Sequence, residues 1–151
     1  ENQDIIRETG KVVLFESEKS VLMLDTFYDS YCFGLAVYGS NLSLAHRDML
    51  LNLGVREVTI CFDKEYCAEW FGSEYDKTKE QTLMFSYFKK LKKINKMLSS
   101  YFTVNIVIDF DNNLDLKDSP VDKGKEVFEL LLKDKITIVD VDNDFYEIFG
   151  I

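Results

Sequence analysis

Three short apolar runs, separated by segments of helical periodicity, constrain the fold of this chain most strongly. The runs Lys11–Phe15, Cys32–Tyr38 and Glu57–Phe62 are nearly continuous in apolar and β-branched residues. Such runs are typical of strands that helices cover on both faces of a parallel sheet. Between them, at Glu18–Tyr31 and after the candidate N-cap Ser43, apolar residues recur three and four positions apart, which predicts helices. This alternation predicts an α/β fold with right-handed crossovers between mainly parallel strands.

The second half of the chain continues the alternation. Lys77–Tyr101 predicts a long amphipathic helix, and Phe102–Phe110 predicts a fourth strand of high β-propensity. An acidic loop at Asp111–Pro120 precedes a predicted helix at Asp122–Lys133, and Ile136–Val139 is a candidate short final strand. We therefore predict a central, mainly parallel four-stranded sheet that is flanked by helices.

Composition narrows the functional class. The 151 residues suit one domain, and 46% apolar residues exclude a disordered segment. No apolar run approaches the roughly 20 residues that span a bilayer, so we expect no membrane association. Three cysteines without a CxxC pair predict neither a zinc site nor a disulfide framework, and they favour a reducing cytoplasm. A net charge of −9 argues against overall electrostatic contact with nucleic acid.

The basic residues are unevenly distributed. Seven of the 18 Lys and Arg residues lie between Lys77 and Lys96, within the predicted amphipathic helix. Lysines on the outer face of such a helix are more often solvated than bound to a partner, and we favour that interpretation. The alternative is a surface that follows a nucleic-acid backbone.

Carboxylates follow three of the predicted parallel strands. Glu16 comes after the first strand, and Asp63 and Glu65 come after the third. The fourth strand ends into Asp109-Phe110-Asp111, which Asp115 and Asp118 follow. Parallel strands bring their carboxyl ends to one edge of the sheet, where ligands bind in open α/β folds. Several carboxylates in one crevice repel one another unless a cation lies among them. Oxygen ligands favour Mg²⁺ or Mn²⁺, so the pattern predicts metal-assisted phosphoryl transfer.

These segments resemble the motifs of TOPRIM domains. Val13–Lys19 resembles the first motif, an apolar strand ending in Glu, and Val58–Glu65 resembles the second, a strand ending in Asp-x-Asp. Gly39–Ser43 resembles the loop and helix start of bacterial-type DNA primases, and Leu116–Gly124 resembles their acidic Asp-Pro-Asp region. The similarity is greatest to phage and mobile-element forms, and it covers Lys11 to Lys133.

The resemblance implies the catalytic domain of a DNA primase, which makes short RNA primers on single-stranded DNA by two-metal nucleotidyl transfer. It implies catalytic roles for Glu16, Asp63 and Glu65, and Mg²⁺ or Mn²⁺ ligation by these three together with Asp118 and Asp122. The TOPRIM domain would span residues 11–140, after a leader at 1–10 from a preceding domain and before a C-terminal extension at 141–151.

The same resemblance implies partners and a setting. Single-stranded DNA and nucleoside triphosphates would bind to the full-length cytoplasmic protein, and a replicative helicase is a further candidate partner. Because that binding would lie outside the present chain, we expect the chain to be inactive alone.

The chain also departs from the family pattern, and two alternatives follow. Ser17 stands where the family usually has Gly, Ser20 stands where primases often carry Asp, and Glu65 replaces the second Asp. One alternative is a TOPRIM nuclease or topoisomerase-type domain. The other is an inactive TOPRIM scaffold that binds DNA or a helicase. A flavodoxin-like phosphoacceptor domain is disfavoured, because the chain does not show a lone Asp with Lys and Thr or Ser at later strand ends.

Overall fold

A computed structural model describes residues 2–29, 31, 33–38, 41–67, 69 and 79–151. Helices and strands alternate along this part of the chain. In order, they are α1 (Asn2–Thr9), β1 (Lys11–Phe15), α2 (Glu18–Phe27), β2 (Gly34–Ala36), α3 (Leu44–Asn52), β3 (Glu57–Ile60), α4 (Lys79–Leu98), β4 (Thr103–Ile106), α5 (Lys125–Lys133), β5 (Ile136–Ile138) and α6 (Val141–Phe149).

The sheet confirms the predicted α/β class. Its strand order is β2-β1-β3-β4-β5, and the pairs β1–β2, β1–β3 and β3–β4 are all parallel. The candidate run at Ile136–Val139 does form a strand, which pairs antiparallel with β4. The sheet therefore has five strands within the described residues, one more than the four predicted.

The strands are buried on both faces, as their apolar sequences predict. Successive side chains of a strand point to opposite faces, so Val12 and Leu14 enter one core while Val13 and Phe15 enter the other. The first core also contains residues of α3, α4 and α6, and the second contains Leu24 of α2 with residues of α5. The sheet is thus the middle layer of three.

Both terminal helices pack against this sheet. Ile6 of α1 and Phe145 of α6 are fully buried in the first core. The Phe149 ring stacks on Phe88 of α4, with ring centroids 4.1 Å apart. Domain boundaries at residues 11 and 140 stay a prediction, but segments 1–10 and 141–151 share the core of the predicted domain.

Several elements are shorter than their apolar patterns predict. The helix predicted at Asp122–Lys133 begins only at Lys125, because Gly124 precedes it with a φ of 96° and the three residues before Gly124 form a turn. The fourth strand ends at Ile106 rather than Phe110. Its last residue, Ile106, pairs with Ile136, which is the first residue of the antiparallel strand β5. Part of the turn predicted at Tyr66–Phe71, and the Gly39–Ser40 half of the loop motif, lie outside the described residues.

Within the described part of the chain, no helix combines the length and apolar character that crossing a membrane requires.

Candidate metal centre at the carboxyl edge of the sheet

The parallel register brings the ends of β1, β3 and β4 to one edge. Leu14 pairs with Ile60, and Ile60 pairs with Ile106. Beyond β3 the chain stays close to β1, because the Cys61 backbone N–H donates to the Leu14 carbonyl at 2.8 Å. Glu16 and Asp63 consequently become neighbours, and the Asp63 backbone N–H hydrogen-bonds to the Glu16 carboxylate.

The acidic side chains at this edge influence one another electrostatically. Burial raises the pKa of Glu16, and the negative charges of Asp63 and Glu65 raise it further. Burial likewise raises the pKa of Asp63, with additional contributions from Asp122 and Glu65. Three of the other predicted site residues, Glu16, Glu65 and Asp122, therefore lie within electrostatic range of Asp63, and like charges so placed disfavour ionisation.

Asp63 has a carboxylate oxygen that lacks a hydrogen-bond partner in the part of the chain that the structure describes. Among the described residues, its Oδ1 atom is buried without a hydrogen-bond partner. Leaving a buried acceptor unsatisfied costs about 1–3 kcal/mol, and more when the group is charged. A divalent cation would satisfy this oxygen and relieve the repulsion among the neighbouring carboxylates. The donor set, which is all oxygen, fits Mg²⁺ or Mn²⁺.

The acidic segment, residues 109–122, is attached to the same edge by main-chain hydrogen bonds. The Lys64 N–H donates to the Asp118 carbonyl at 2.8 Å, and the Lys117 N–H donates to the Lys64 carbonyl at 2.7 Å. The Asp118 carboxylate accepts the Asp115 N–H, and the Asp122 carboxylate accepts the Ser119 N–H. Because Asp122 contributes to the raised pKa of Asp63, Asp122 is a closer electrostatic partner of Asp63 than the sequence indicated.

Lysine side chains neutralise part of the carboxylate charge. Lys117 pairs with Glu65 at 2.7 Å, and Lys19 lies 3.4 Å from Asp122. No group of three His, Cys, Asp or Glu side chains in the described residues is close enough to form a ready metal cluster. The structure brings the predicted residues to one edge, where three of them pair with lysines: Glu65 with Lys117, Asp122 with Lys19, and Asp118 with Lys123 at 3.5 Å.

Serine hydroxyls connect α2 to the acidic segment. Ser17 caps α2 by accepting the Ser20 N–H, and the buried Ser20 hydroxyl donates to Ser119 at 2.9 Å. Position 20 therefore has a packing and hydrogen-bonding role in this chain.

One buried ion pair beside the site was not predicted from the sequence. Lys64 Nζ lies 2.9 Å from Asp109 Oδ2, and both side chains are almost completely buried. One signal was available. Residues alternate between faces in an extended segment, so Lys64 has to point away from the face shared by Asp63 and Glu65.

Comparison with known proteins gives two similarities, and no family model matches the chain. The chain is 44% identical over 133 residues to the SPbeta prophage-derived uncharacterized protein YorJ of Bacillus subtilis (strain 168). The aligned region is 88% of this chain and 34% of that protein, so the chain spans about a third of its relative.

The second similarity is structural. The chain superposes on the crystal structure of the Aquifex aeolicus primase (zinc binding and RNA polymerase domains) with a TM-score of 0.55. The match covers 91% of this chain and 29% of that one, at 20% sequence identity. The superposition shows a shared fold, and an identity this low says nothing about activity. The chain is thus similar to a prophage protein in sequence and to a primase in fold, and its mostly parallel sheet is compatible with a TOPRIM-like fold.

Proposed function

We propose that this chain is the divalent-cation-binding TOPRIM domain of a DNA primase of phage or mobile-element type. In the full-length protein, it would support synthesis of short RNA primers on single-stranded DNA by two-metal nucleotidyl transfer. The observation that carries the proposal is the unpartnered, buried Asp63 oxygen, which lies within electrostatic range of Glu16, Glu65 and Asp122. The structural similarity to a primase supports it at the level of the fold.

The proposal assigns roles to the chain's own residues. Asp63 and Glu65 would hold Mg²⁺ or Mn²⁺, with Glu16, Asp118 and Asp122 completing the site. The bound cation would neutralise phosphate oxygens and activate a hydroxyl. Burial and the neighbouring negative charges raise the pKa of Glu16, which makes its carboxylate a better proton acceptor than an ordinary glutamate.

Partners and setting belong to the proposal for the full-length protein. Its substrates would be single-stranded DNA and nucleoside triphosphates in the cytoplasm, and a replicative helicase is a candidate partner. Because the chain spans about a third of its prophage relative, the remaining two thirds would provide the surfaces that bind template and nucleotide.

One observation favours a second candidate, an inactive scaffold of the same fold that binds DNA or a helicase. The ion pairs Lys117–Glu65 and Lys19–Asp122 already neutralise two of the site carboxylates. A scaffold that had lost its metals would retain such internal counterions. A catalytic domain would exchange them for a cation, because both lysine side chains are largely exposed and free to move away.

Thermal unfolding with and without millimolar Mn²⁺ tests the first candidate against the second. A cation that binds only the folded chain raises its stability by about 2.7 kcal/mol at one hundred times its dissociation constant. We expect Mn²⁺ to raise the melting temperature of the parent chain, and Asp63→Asn to abolish the increase. Asp111→Asn is the matched control, because this exposed acid lies in the same acidic segment and outside the site; it should keep the full increase.

Two results would contradict the metal site. No response of the parent chain would favour the scaffold, and a full response in Asp63→Asn would move the cation elsewhere. If the metal site is present, primer synthesis by the full-length protein with and without Asp63→Asn tests the primase assignment itself.

A further inference from the structure

Lys64 lies between two proposed metal ligands in the sequence, yet its side chain is buried on the opposite side of the chain. We infer that the Lys64–Asp109 ion pair is a positioning device: it fixes the acidic segment to residues 63–65 and thereby sets the separation of the carboxylates. This inference rests on the proposed function, since it concerns the same cation site.

The Lys64 ammonium group is fully coordinated by one loop. It donates to Asp109 Oδ2 at 2.9 Å, to Asn112 Oδ1 at 2.9 Å and to the Leu114 carbonyl at 3.1 Å. Three acceptors match the three N–H donors of an ammonium group. The buried Lys64 ammonium group therefore holds residues 109–114 against the segment that carries Asp63 and Glu65.

Asp109 is equally well coordinated on the other side of the pair. Its Oδ1 accepts the backbone and side-chain N–H groups of Asn113, and its Oδ2 accepts the Leu114 N–H besides Lys64. The Asp109 backbone N–H donates to the Tyr66 hydroxyl at 2.8 Å. The turn that begins the acidic segment is thus bound to residues 64 and 66.

The backbone of Lys64 holds the far end of the same segment. Its N–H and carbonyl bond to Asp118 and Lys117 at 2.8 Å and 2.7 Å. Residue 64 consequently contacts the acidic segment at both ends, through its side chain at 109–114 and through its main chain at 117–118. Asp118 is itself one of these anchors, and Asp122 lies in the turn that follows it.

Stability alone does not account for this pair. Removing two charges from water costs free energy, and well-packed neutral residues often stabilise a core as well as a buried ion pair does. Direct attraction for the ligand does not account for it either, because a lysine near a cation site repels the cation. We therefore assign the pair a geometric role, in which it sets the positions of the site carboxylates.

A positioning role and a simple charge effect predict opposite changes in Mn²⁺ affinity. Loss of the cross-link should lower the affinity, whereas removal of a nearby lysine charge should raise it. In Lys64→Met/Asp109→Asn, the net charge is unchanged, and the Asn oxygen can still accept an N–H from the 113–114 turn, but the cross-link is lost. We expect Mn²⁺ affinity, measured by electron paramagnetic resonance of free Mn²⁺, to fall by about 10- to 100-fold, as for other groups that orient metal ligands. The comparison variant Lys117→Met removes an exposed lysine from Glu65 and should raise affinity by up to about fivefold.

Circular dichroism and metal-free thermal unfolding establish that each variant is folded. If the double variant is unfolded, Asn112→Gly provides a milder test: it removes one of the three Lys64 acceptors and suits the positive φ of 54° at that position. Asn112→Gly should also lower the affinity for Mn²⁺, as expected for the double variant.

The outcomes distinguish the two proposals. If the parent chain binds Mn²⁺ and a folded double variant binds it equally well, the positioning role is wrong and the metal site stands. If the parent chain binds no Mn²⁺, the proposed function fails and this inference fails with it. A selective loss in the double variant, together with a gain in Lys117→Met, supports both.

Discussion

At the scale of single residues, the acids around the carboxyl edge fall into two electrostatic classes. Burial and mutual repulsion raise the pKa values of Glu16 and Asp63 above their ordinary values of 4.5 and 3.8. Burial opposes ionisation of Asp109 too, but the hydrogen bonds from Lys64, Leu114 and Asn113 outweigh it and lower its pKa. Ionised Asp109 therefore stabilises the fold, whereas ionised Glu16 and Asp63 destabilise it in the absence of a cation.

The raised pKa values predict a pH-dependent stability. The folded chain binds protons at Glu16 and Asp63 more tightly than the unfolded chain, so their ionisation lowers the free energy of unfolding as pH rises above 3.8 and 4.5. In the double variant Glu16→Gln/Asp63→Asn this loss disappears. Its stability advantage over the parent should therefore increase from pH 4 toward neutral pH when a chelator is present.

Urea unfolding across that pH range measures this difference. Glu8→Gln in the exposed part of α1 is the control, and its difference from the parent should not vary in the same way. A constant difference for the double variant would show that the two carboxylates ionise as freely in the folded chain as in the unfolded one.

At the scale of elements, α3 shows how a local signal defines a helix start. Ser43 is its N-cap and accepts the His46 N–H, while His46 Nδ1 accepts the Ser43 N–H in return. His46 thus takes the place that Glu or Gln usually has in a capping box. This reciprocal bond gives His46 a structural role at the start of the helix.

Removing the Ser43 cap should destabilise the protein measurably. Ser43→Ala leaves a backbone donor of α3 unsatisfied, and we expect the free energy of unfolding to fall by about 1 kcal/mol in chemical denaturation. Ser43→Asp retains a capping oxygen and should remain close to the parent. Equal losses in both variants would attribute the effect to something other than the cap.

At the scale of the whole molecule, the terminal helices complete the core. Phe145 is fully buried in the same cluster as residues of β1, β3 and β4. Lys92 and Lys96 of α4 both pair with Asp142, at the start of α6. Residues 141–151 therefore pack as part of the folded unit.

Truncating the Phe145 side chain tests this integration. Deleting a large buried ring typically costs about 3–5 kcal/mol, which is a large share of a domain's stability. We expect Phe145→Ala to lower the free energy of unfolding by that amount in urea denaturation. Tyr146→Ala on the same helix is the control, because Tyr146 is 70% exposed and its loss should change stability by no more than about 0.5 kcal/mol. A small effect at both positions would make α6 a peripheral appendage.

Most helices and strands, and the edge of the sheet at which the acids lie, could be predicted from local sequence patterns. β1 has the predicted bounds, and α3 follows its predicted cap, because β-branched runs and capping residues act through neighbours a few positions apart. The alternation of strands and helices predicts parallel strands, and parallel strands bring Glu16 and Asp63 to one edge of the sheet.

Which of those acids interact, and what holds them in place, depends on how distant segments dock. Lys64 and Asp109 are 45 positions apart, and no local pattern indicates that they pair. The electrostatic partnership of Asp122 with Asp63 and the packing of α1 and α6 likewise depend on how segments dock. Burial and charge pairing are decided by contacts between residues distant in sequence, whereas periodicity and capping record only the local preferences of the chain.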